Sequence, residues 1–359
     1  MCSREVGGPG VTADQWLSFL EGYLRPVPTP PGFTSREIVR AAVEFDCPPL
    51  IPYCFAEPLE SDILELGVIT AASLCIPNIP LGELVFDEWG IGWRGSGRFW
   101  GHAEVCPLAD LSALESYRFP EVMPPQRLAV LKAVAEQADR AGKYVIGADV
   151  IGSYERLRGL MGFDNLMMSL YTDRQRFEVL LDKLTDISVD LVHKYAELGG
   201  VHAFMTWEDW GLQTTLQIRP AQWREIFKPR YARIVDETHR TGMHYIWHCC
   251  GYILDIIPDM IEIGVDVLQL TQPRLTGVDR LASEFGGKIC FWSSVDTQWS
   301  PLAEVSVEDV RTEAKHMVEQ FGRFDGGFIA LQYAQPWDIG ISPEKHRAVH
   351  EAFVESGCR

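Results

Sequence analysis

The chain has 359 residues, of which 47% are hydrophobic and 23% charged, as expected for a globular protein with a large core. Its formal net charge is -18 without any Lys/Arg cluster, which excludes the basic face of a nucleic-acid-binding protein and opposes binding to anionic membranes. The nine irregularly spaced cysteines do not form a disulfide framework, and neither a secretory leader nor a membrane-spanning apolar run is visible, so the sequence predicts a cytoplasmic protein.

The first predicted element is a short N-terminal arm. Thr12 opens a T-x-x-Q capping box, and apolar residues follow it at helical spacing. Residues 25–32 (RPVPTPPG) cannot continue a helix, so we expect residues 1–33 to form a helical arm with a proline-rich linker and residues 34–359 to form one catalytic domain. The apolar face of the arm must be covered by its own domain or by another copy of the chain, as in a homodimer.

After the arm, short apolar runs alternate with helical patterns. Seven runs are typical of strands: 49–55, 143–150, 202–209, 243–250, 265–270, 288–296 and 326–333. An eighth strand is expected within residues 60–90. Helical patterns cover 34–45, 174–198, 221–240, 279–285 and 307–321, with a last helix beginning at Ser342.

This alternation predicts a parallel sheet covered by helices. Eight strands indicate closure into a (β/α)8 TIM barrel, and an open doubly wound sheet is the alternative. No G-x-G-x-x-G follows the first strand, which argues against a dinucleotide-binding fold. Residues 75–125 interrupt the alternation of strands and helices, because they contain many glycines and aromatic residues. They predict an irregular flap near the barrel mouth. A surface excursion or a dimer contact is an equal alternative.

In a TIM barrel the active site lies at the C-terminal ends of the strands. His248 and Cys250 lie two residues apart at the end of one strand, so their side chains point to the same side. An imidazole and a thiolate directed into one cavity are half of a zinc site, and Glu208 or Asp209 from the preceding strand is a candidate third ligand. A buried histidine beside inert thiols is the alternative interpretation. Cys54 is a further candidate thiolate.

Other polar and aromatic residues also fall at predicted strand ends. Glu208, Asp296 and Tyr333 are candidate catalytic residues for proton transfer. The candidate substrate-binding residues are Trp207, Trp210, Asp149, Gln272 and Gln332.

Residues 207–273 resemble the central segment of the uroporphyrinogen decarboxylase superfamily. The resemblance is carried by the acidic D-W-G turn, the I-F-K-P-R-Y run, the H-x-C-G element and I-P-D-M-I-E-I-G-V-D. The segments 107–120 (PLADLSALESYRFP), 291–298 (FWSSVDTQ) and 326–329 (GGFI) are similar to that family as well. The resemblance therefore covers most of residues 34–355 and implies the TIM-barrel fold.

The resemblance also distinguishes two branches. True decarboxylases of the family carry an early R-Q-A-G-R-type motif, whereas the first strand here is followed by no arginine before Arg94. The methyltransferase branch carries a zinc-binding His-x-Cys, which His248 and Cys250 match. That branch often has a further cysteine after the eighth strand, and 326–337 (GGFIALQYAQPW) has none. This departure favours a member that demethylates an oxygen or nitrogen substrate, or one with altered metal use.

The resemblance implies a corrinoid-dependent methyltransferase of the O-demethylase type. Zinc would assist transfer of a methyl group from a small methyl donor to a Co(I) corrinoid. The chain has no D-x-H-x-x-G signature, so a separate corrinoid protein would be the partner. The tryptophans near the strand ends suit an aromatic methyl ether or a cationic methylamine.

Three other functions compete with this one. The same barrel serves a metal-free decarboxylase or other lyase, and it serves a methyltransferase that works from a methylcorrinoid to an acceptor. A barrel that lacks its third ligand could also have become a non-catalytic binding protein. Zinc content and turnover with a corrinoid partner separate these hypotheses.

Overall fold

A parallel β-barrel organises the protein. The computed structural model describes residues 21–66, 79–97, 101–149 and 152–358. Nine strands form one sheet in the order β2-β1-β12-β11-β10-β9-β8-β7-β3, and three more form a small antiparallel sheet, β4-β5-β6. The twelve strands are β1 Tyr53–Ala56, β2 Leu59–Ser61, β3 Ile63–Glu65, β4 Leu84–Phe86, β5 Gly92–Arg94, β6 His102–Val105, β7 Tyr144–Asp149, β8 Ala203–Trp207, β9 His244–Cys249, β10 Val267–Leu270, β11 Cys290–Ser294 and β12 Phe328–Leu331.

Eight of the nine barrel strands are parallel, and β2 alone pairs antiparallel with β1. The fully buried Asp62, between β2 and β3, brings the two ends of the sheet together. Its main-chain N–H donates to the Tyr53 carbonyl of β1, and its main-chain carbonyl accepts from the Tyr144 N–H of β7, both at 2.9 Å. The predicted TIM barrel is therefore confirmed, including the eighth strand expected within residues 60–90, which is β3.

Strand alternation divides the barrel residues between two cores. One set of alternate side chains fills the interior, including Ile146 of β7, Met205 of β8, Ile246 of β9 and Trp292 of β11. The other set points outward and packs against the surrounding helices. A residue's parity along its strand therefore decides whether it reaches the barrel interior or the helix layer.

The helices pack around the barrel and fill the connections between strands. They are α1 Ser35–Glu44, α2 Pro125–Arg140, α3 Ser153–Met161, α4 Phe163–Thr172, α5 Arg174–Leu198, α6 Pro220–Ile226, α7 Lys228–Arg240, α8 Ile257–Glu262, α9 Val278–Phe285, α10 Val307–Phe321 and α11 Pro343–Phe353. Short 3-10 turns cover Leu111–Ala113, Leu254–Ile256, Pro273–Leu275 and Pro336–Asp338, and a π-helical turn, Val354–Cys358, follows α11.

The predicted helices agree with these bounds, with one exception. The Thr34 capping box begins α1 and the Ser342 cap begins α11, as predicted. The single helix predicted over 221–240 is in fact two, α6 and α7, which meet at Phe227. Pro229 explains the break, because proline has no N–H to donate and its ring clashes with the preceding turn.

The irregular region predicted over 75–125 contains the small antiparallel sheet. It packs beside the barrel mouth, because Trp89 lies under the guanidinium of Arg156 in α3 at 4.2 Å and the Leu108 N–H donates to the Leu160 carbonyl at 2.8 Å. Residues 67–78 and 98–100 lie outside the described residues. The location agrees with the predicted flap, but the segment has more regular structure than its composition indicates.

Most of the predicted N-terminal arm, residues 1–20, also lies outside the described residues. Residues 21–24 are helical, and Tyr23 and Leu24 pack against the outer core of the barrel. The domain boundary after residue 33 stays a prediction. In the part of the chain that the structure describes, no helix combines the length and apolarity needed to cross a membrane.

His202, directly before β8, is packed as a neutral residue at the opposite end of the barrel from the strand C-termini. Its Nδ1 atom accepts a hydrogen bond from the Val145 N–H at 2.9 Å, and its ring stacks on Tyr144. Burial, with the nearby positive charge of Arg36 as the next contribution, lowers the pKa of His202 to about 4. Arg40 and His244 act in the same direction, and Asp139 opposes them.

This lowered pKa predicts acid sensitivity. Below its ordinary pKa of 6.5 an unfolded histidine takes up a proton that the folded His202 does not bind until about pH 4. The free energy of unfolding should therefore fall across this window, by about 3 kcal/mol. His202→Asn keeps an acceptor for the Val145 N–H but does not titrate, so urea titrations should show wild type losing stability relative to this variant. Parallel pH curves for the two proteins would contradict the assignment.

Candidate metal centre at the barrel mouth

Three neighbouring strands bring two rows of interior side chains to the mouth. In the parallel register Trp207 of β8 pairs with His248 of β9, and His248 pairs with Gln269 of β10. Two residues further along the same three segments lie Asp209, Cys250 and Thr271. They form the next row, since residues two apart on an extended strand face the same side. The chain thus places a carboxylate, an imidazole and a thiol together at the mouth.

Asp209, His248 and Cys250 are the group of potential metal ligands that the described residues bring together, with their ligand atoms all within 4.8 Å of one another. His248 Nε2 lies 3.5 Å from Cys250 Sγ and 3.6 Å from Asp209 Oδ1. A tetrahedral zinc ion with ligand bonds of 2.0–2.3 Å separates its ligand atoms by about 3.5 Å. The three residues therefore fit zinc as three protein ligands, with a fourth position for water or substrate.

Hydrogen bonds orient two of these three ligands. His248 Nδ1 lies 2.8 Å from Gln269 Oε1, which can only accept, so the proton is on Nδ1 and the Nε2 lone pair faces Asp209 and Cys250. Burial lowers the pKa of His248, which keeps the ring neutral. Cys250 Sγ lies 3.3 Å from Thr271 Oγ1. Burial, followed by the negative charge of Asp209, raises the pKa of Cys250.

The loops that carry these ligands touch through two glycines. A Cβ at Gly211 would lie 2.4 Å from the carbonyl carbon of Gly251, and a Cβ at Gly251 would lie 2.3 Å from Gly211 main-chain atoms. Gly251 also has a φ of 83°, which favours glycine. The close approach allows the Cys250 N–H to donate to Asp209 Oδ1 at 2.9 Å. Two glycines therefore hold Asp209 against the His-x-Cys segment.

Residues 102–353 match the family described as "Uroporphyrinogen decarboxylase (URO-D)", which is most of the chain. This chain belongs to the URO-D family. A comparison with curated proteins finds no match.

One solved structure shares the fold of this chain along most of its length. A methyltransferase from Methanosarcina mazei superposes with a TM-score of 0.66 at 17% identity, covering 90% of this chain and 99% of that one. D-psicose 3-epimerase from Clostridium cellulolyticum H10 reaches a TM-score of 0.41 at 11% identity, over 68% of this chain and 86% of that one. Xylanase 10B from Thermotoga maritima reaches 0.37 at 10% identity, over 64% and 80%.

In this URO-D protein Glu208 lies on the other side of its strand from the metal centre. It is fully buried in the helix layer, where its Oε2 accepts from the Tyr154 N–H at the start of α3 at 2.9 Å. Burial raises the pKa of its carboxyl well above the ordinary value. The sequence predicts Glu208 as a catalytic residue and, with Asp209 as the alternative, as the third ligand. Strand alternation instead turns it outward and places Asp209, the other sequence candidate, beside His248 and Cys250.

Two predicted substrate-binding residues also lie outside the barrel interior. Trp210 is fully buried among the helices, stacked on Tyr154 with ring centroids 3.8 Å apart. Asp149 faces α5 and α3, with its carboxylate 3.1 Å from Ser188 Oγ and 3.7 Å from Arg156. Both residues join helices to the barrel, so the structure does not bring them to the mouth.

The side chains of three further candidates accept hydrogen bonds from main-chain N–H groups. Gln272 Oε1 accepts from the Gly251 N–H at 2.8 Å, which supports the His-x-Cys-Gly turn. Gln332 Oε1 accepts from two main-chain N–H groups after β1. Asp296 Oδ1 accepts from two N–H groups and Oδ2 from the Arg274 N–H. They shape the loops around the mouth and leave little capacity for chemistry.

Of the predicted catalytic and substrate-binding residues, Trp207 contacts the metal centre and Tyr333 lies near it. The Trp207 ring lies 4.7 Å from that of His248, centroid to centroid. Burial raises the pKa of the Tyr333 phenol, and Cys250 and Asp209 are close enough to contribute to this shift. Cys54 also faces the barrel interior, but burial raises its pKa to about 12 and it lies outside the cluster of potential ligands.

Sequence reasoning gave no role to Gln269, which it places at a strand end, and it missed Thr271 and Glu155. Gln269 and Thr271 contact His248 and Cys250, and Glu155 lies beside Asp209. The first two could have been found, since they occupy the same parity on the next strand. Glu155 could not, because it reaches the site from a helix.

The contact between Gly211 and Gly251 predicts that an alanine substitution costs more stability at Gly251 than at a glycine without such a contact. Gly242 and Gly251 flank β9 with nearly equal φ angles of 82° and 83°, but a Cβ at Gly242 meets nothing within 4 Å. Gly242→Ala should cost about 1 kcal/mol for the left-handed backbone alone. Gly251→Ala should cost several kcal/mol, since it adds the clash with Gly211. Equal costs in urea unfolding would show that the two loops can separate freely.

Proposed function

We propose that this protein is a zinc-assisted methyltransferase that moves the methyl group of a small O-methyl aromatic substrate to the Co(I) corrinoid of a separate protein. The observation that carries the proposal is the Asp209–His248–Cys250 cluster at the mouth of a URO-D barrel. The M. mazei protein, whose fold matches along 90% of this chain, is named a methyltransferase, which supports the reaction class.

Each ligand has a defined role in this proposal. His248 would bind the metal through Nε2, Cys250 as a thiolate, and Asp209 through its carboxylate. Zinc held there would supply a Lewis acid that makes the substrate oxygen a better leaving group. Gln269 would hold the imidazole in its ligating tautomer. Trp207, over the His248 ring, would form one wall for the aromatic part of the substrate.

Tyr333 is the proposed proton donor. The O–CH3 bond would break with its electron pair left on oxygen, and the partner's Co(I) corrinoid would supply the electron pair for the new bond to the methyl carbon. Protonation of that oxygen completes the reaction. Burial raises the pKa of Tyr333, so its phenol enters the reaction protonated. The barrel otherwise contributes orientation of the two reactants.

Metal content tests the site. We expect about one zinc per chain in the wild type, and loss of that zinc in Asp209→Ala, His248→Ala and Cys250→Ala, because each removes one of three ligands. The measurement is elemental analysis after dialysis against zinc.

Two neighbouring residues provide matched controls. Cys249→Ala and Glu208→Gln should retain zinc, since both side chains face the helix layer. If Cys249→Ala loses zinc while Cys250→Ala retains it, or if the wild type binds no metal, the proposed centre is wrong.

Methyl transfer tests the reaction. Zinc-loaded protein should demethylate methoxylated arenes with Co(I) cobalamin as acceptor, followed by the cobalamin spectrum. Tyr333→Phe should lower kcat about 100-fold with little change in KM, because it removes the proton and not the binding wall. Tyr171→Phe, an exposed phenol on α4, is the matched control.

Two results would contradict this assignment. If Tyr333→Phe keeps the wild-type kcat, water and not Tyr333 supplies the proton. Turnover only from methylcobalamin to an added acceptor would reverse the direction of transfer.

A further inference from the structure

Helix α3 stands at the barrel mouth beside the candidate metal centre. It begins shortly after β7, and its first turn is bound to the end of β8. The Gly152 N–H donates to the Trp207 carbonyl at 3.2 Å, and the Tyr154 N–H donates to Glu208 Oε2 at 2.9 Å. Side chains on the next positions of α3 are therefore held close to Asp209, which follows Glu208.

Two of these side chains, Glu155 and Arg158, form a chain of contacts to the metal centre. Arg158 donates to Glu155 Oε1 at 2.7 Å. The Glu155 carboxylate in turn lies beside the main chain of Asp209. The charges of Asp209 and Arg158 are near enough to influence each other, as are those of Glu155 and Cys250. Arg158 is thus linked to the metal ligands through one intervening carboxylate.

The Arg158 guanidinium also retains capacity for a ligand. Its side chain is 37% exposed, against 24% for Glu155, so the cation lies on the solvent side of the pair. Glu155 engages one N–H group at hydrogen-bond distance, whereas a guanidinium carries five donors in a planar fork. Glu155 therefore orients the fork without saturating it.

We infer that Arg158 binds a carboxylate on the methyl donor, so that the preferred substrates are methoxylated aromatic carboxylates. This inference rests on the proposed function. In a chain of net charge -18, with Asp209 and Glu155 beside the site, an anionic substrate is repelled unless a cation faces it. Arg158 supplies that cation, and a carboxylate can accept two parallel hydrogen bonds from its fork. A neutral methoxyarene has no group that uses it.

Equilibrium binding separates this inference from the reaction. Zinc-loaded protein, without corrinoid, is titrated calorimetrically with 3-methoxybenzoate and with its neutral isostere 3-methoxybenzamide. The wild type should bind the benzoate at least about 10-fold more tightly, the scale of a hydrogen bond to a charged group. Arg158→Gln should abolish that preference and leave benzamide binding unchanged. Arg158→Lys should retain part of the preference, since the charge remains and the fork is lost.

Arg280→Gln is the matched control. Arg280 also pairs with a glutamate on its own helix, donating to Glu284 Oε1 at 2.7 Å, so its removal makes the same change in charge on α9. It should keep the wild-type preference. Circular dichroism and zinc content of each variant show that the fold and metal centre are intact.

The outcomes are distinct. Equal affinity of the wild type for both ligands, no binding of either, or equal weakening of both by Arg158→Gln overturns the role of Arg158. Selective benzoate binding that depends on Arg158, without any methyl transfer to Co(I) cobalamin, keeps the carboxylate site and overturns the proposed reaction. Methyl transfer that does not distinguish the two ligands keeps the reaction and overturns the inference.

Discussion

The candidate site depends on the parallel register of β8, β9 and β10. Hydrogen bonding pairs Trp207 with His248 and His248 with Gln269, and the strand alternation then places the next interior positions in one row. A slip of one residue on β9 would turn His248 and Cys250 into the helix layer and bring Cys249 inward. The register is held by the buried interior side chains beneath, so the apolar core of the barrel determines the geometry of its polar mouth.

The same alternation explains why carboxylates close in sequence have different uses. Asp209 faces the mouth and is 42% exposed, while Glu208 is turned into the helix layer and caps the start of α3. Glu208 is nevertheless connected to the site, because α3 carries Glu155 and Arg158. The end of β8 thus provides the ligand Asp209 on one face. On the other face it provides Glu208, which anchors the helix that carries Glu155 and Arg158.

Rigid support surrounds the three ligands. Gln269 orients the imidazole, Gln272 holds the turn at Gly251, and the contact between Gly211 and Gly251 sets the distance between the two loops. Each support comes from the main chain or from a glutamine side chain. A metal site needs ligands held in place before the ion arrives, and these glutamine and glycine contacts meet that need.

The sequence by itself determined the barrel, most of its helices and the His-x-Cys pair, because hydrophobic periodicity, capping residues and strand alternation act over a few residues. It did not decide between Glu208 and Asp209, since parity past the end of a strand depends on how the neighbouring loop packs, here through Gly211. Nor could it show that Asp149, Asp296 and Gln332 serve main-chain and helix contacts. Those partners, like Glu155 beside Asp209, come from distant parts of the chain, and only the closed barrel brings them together.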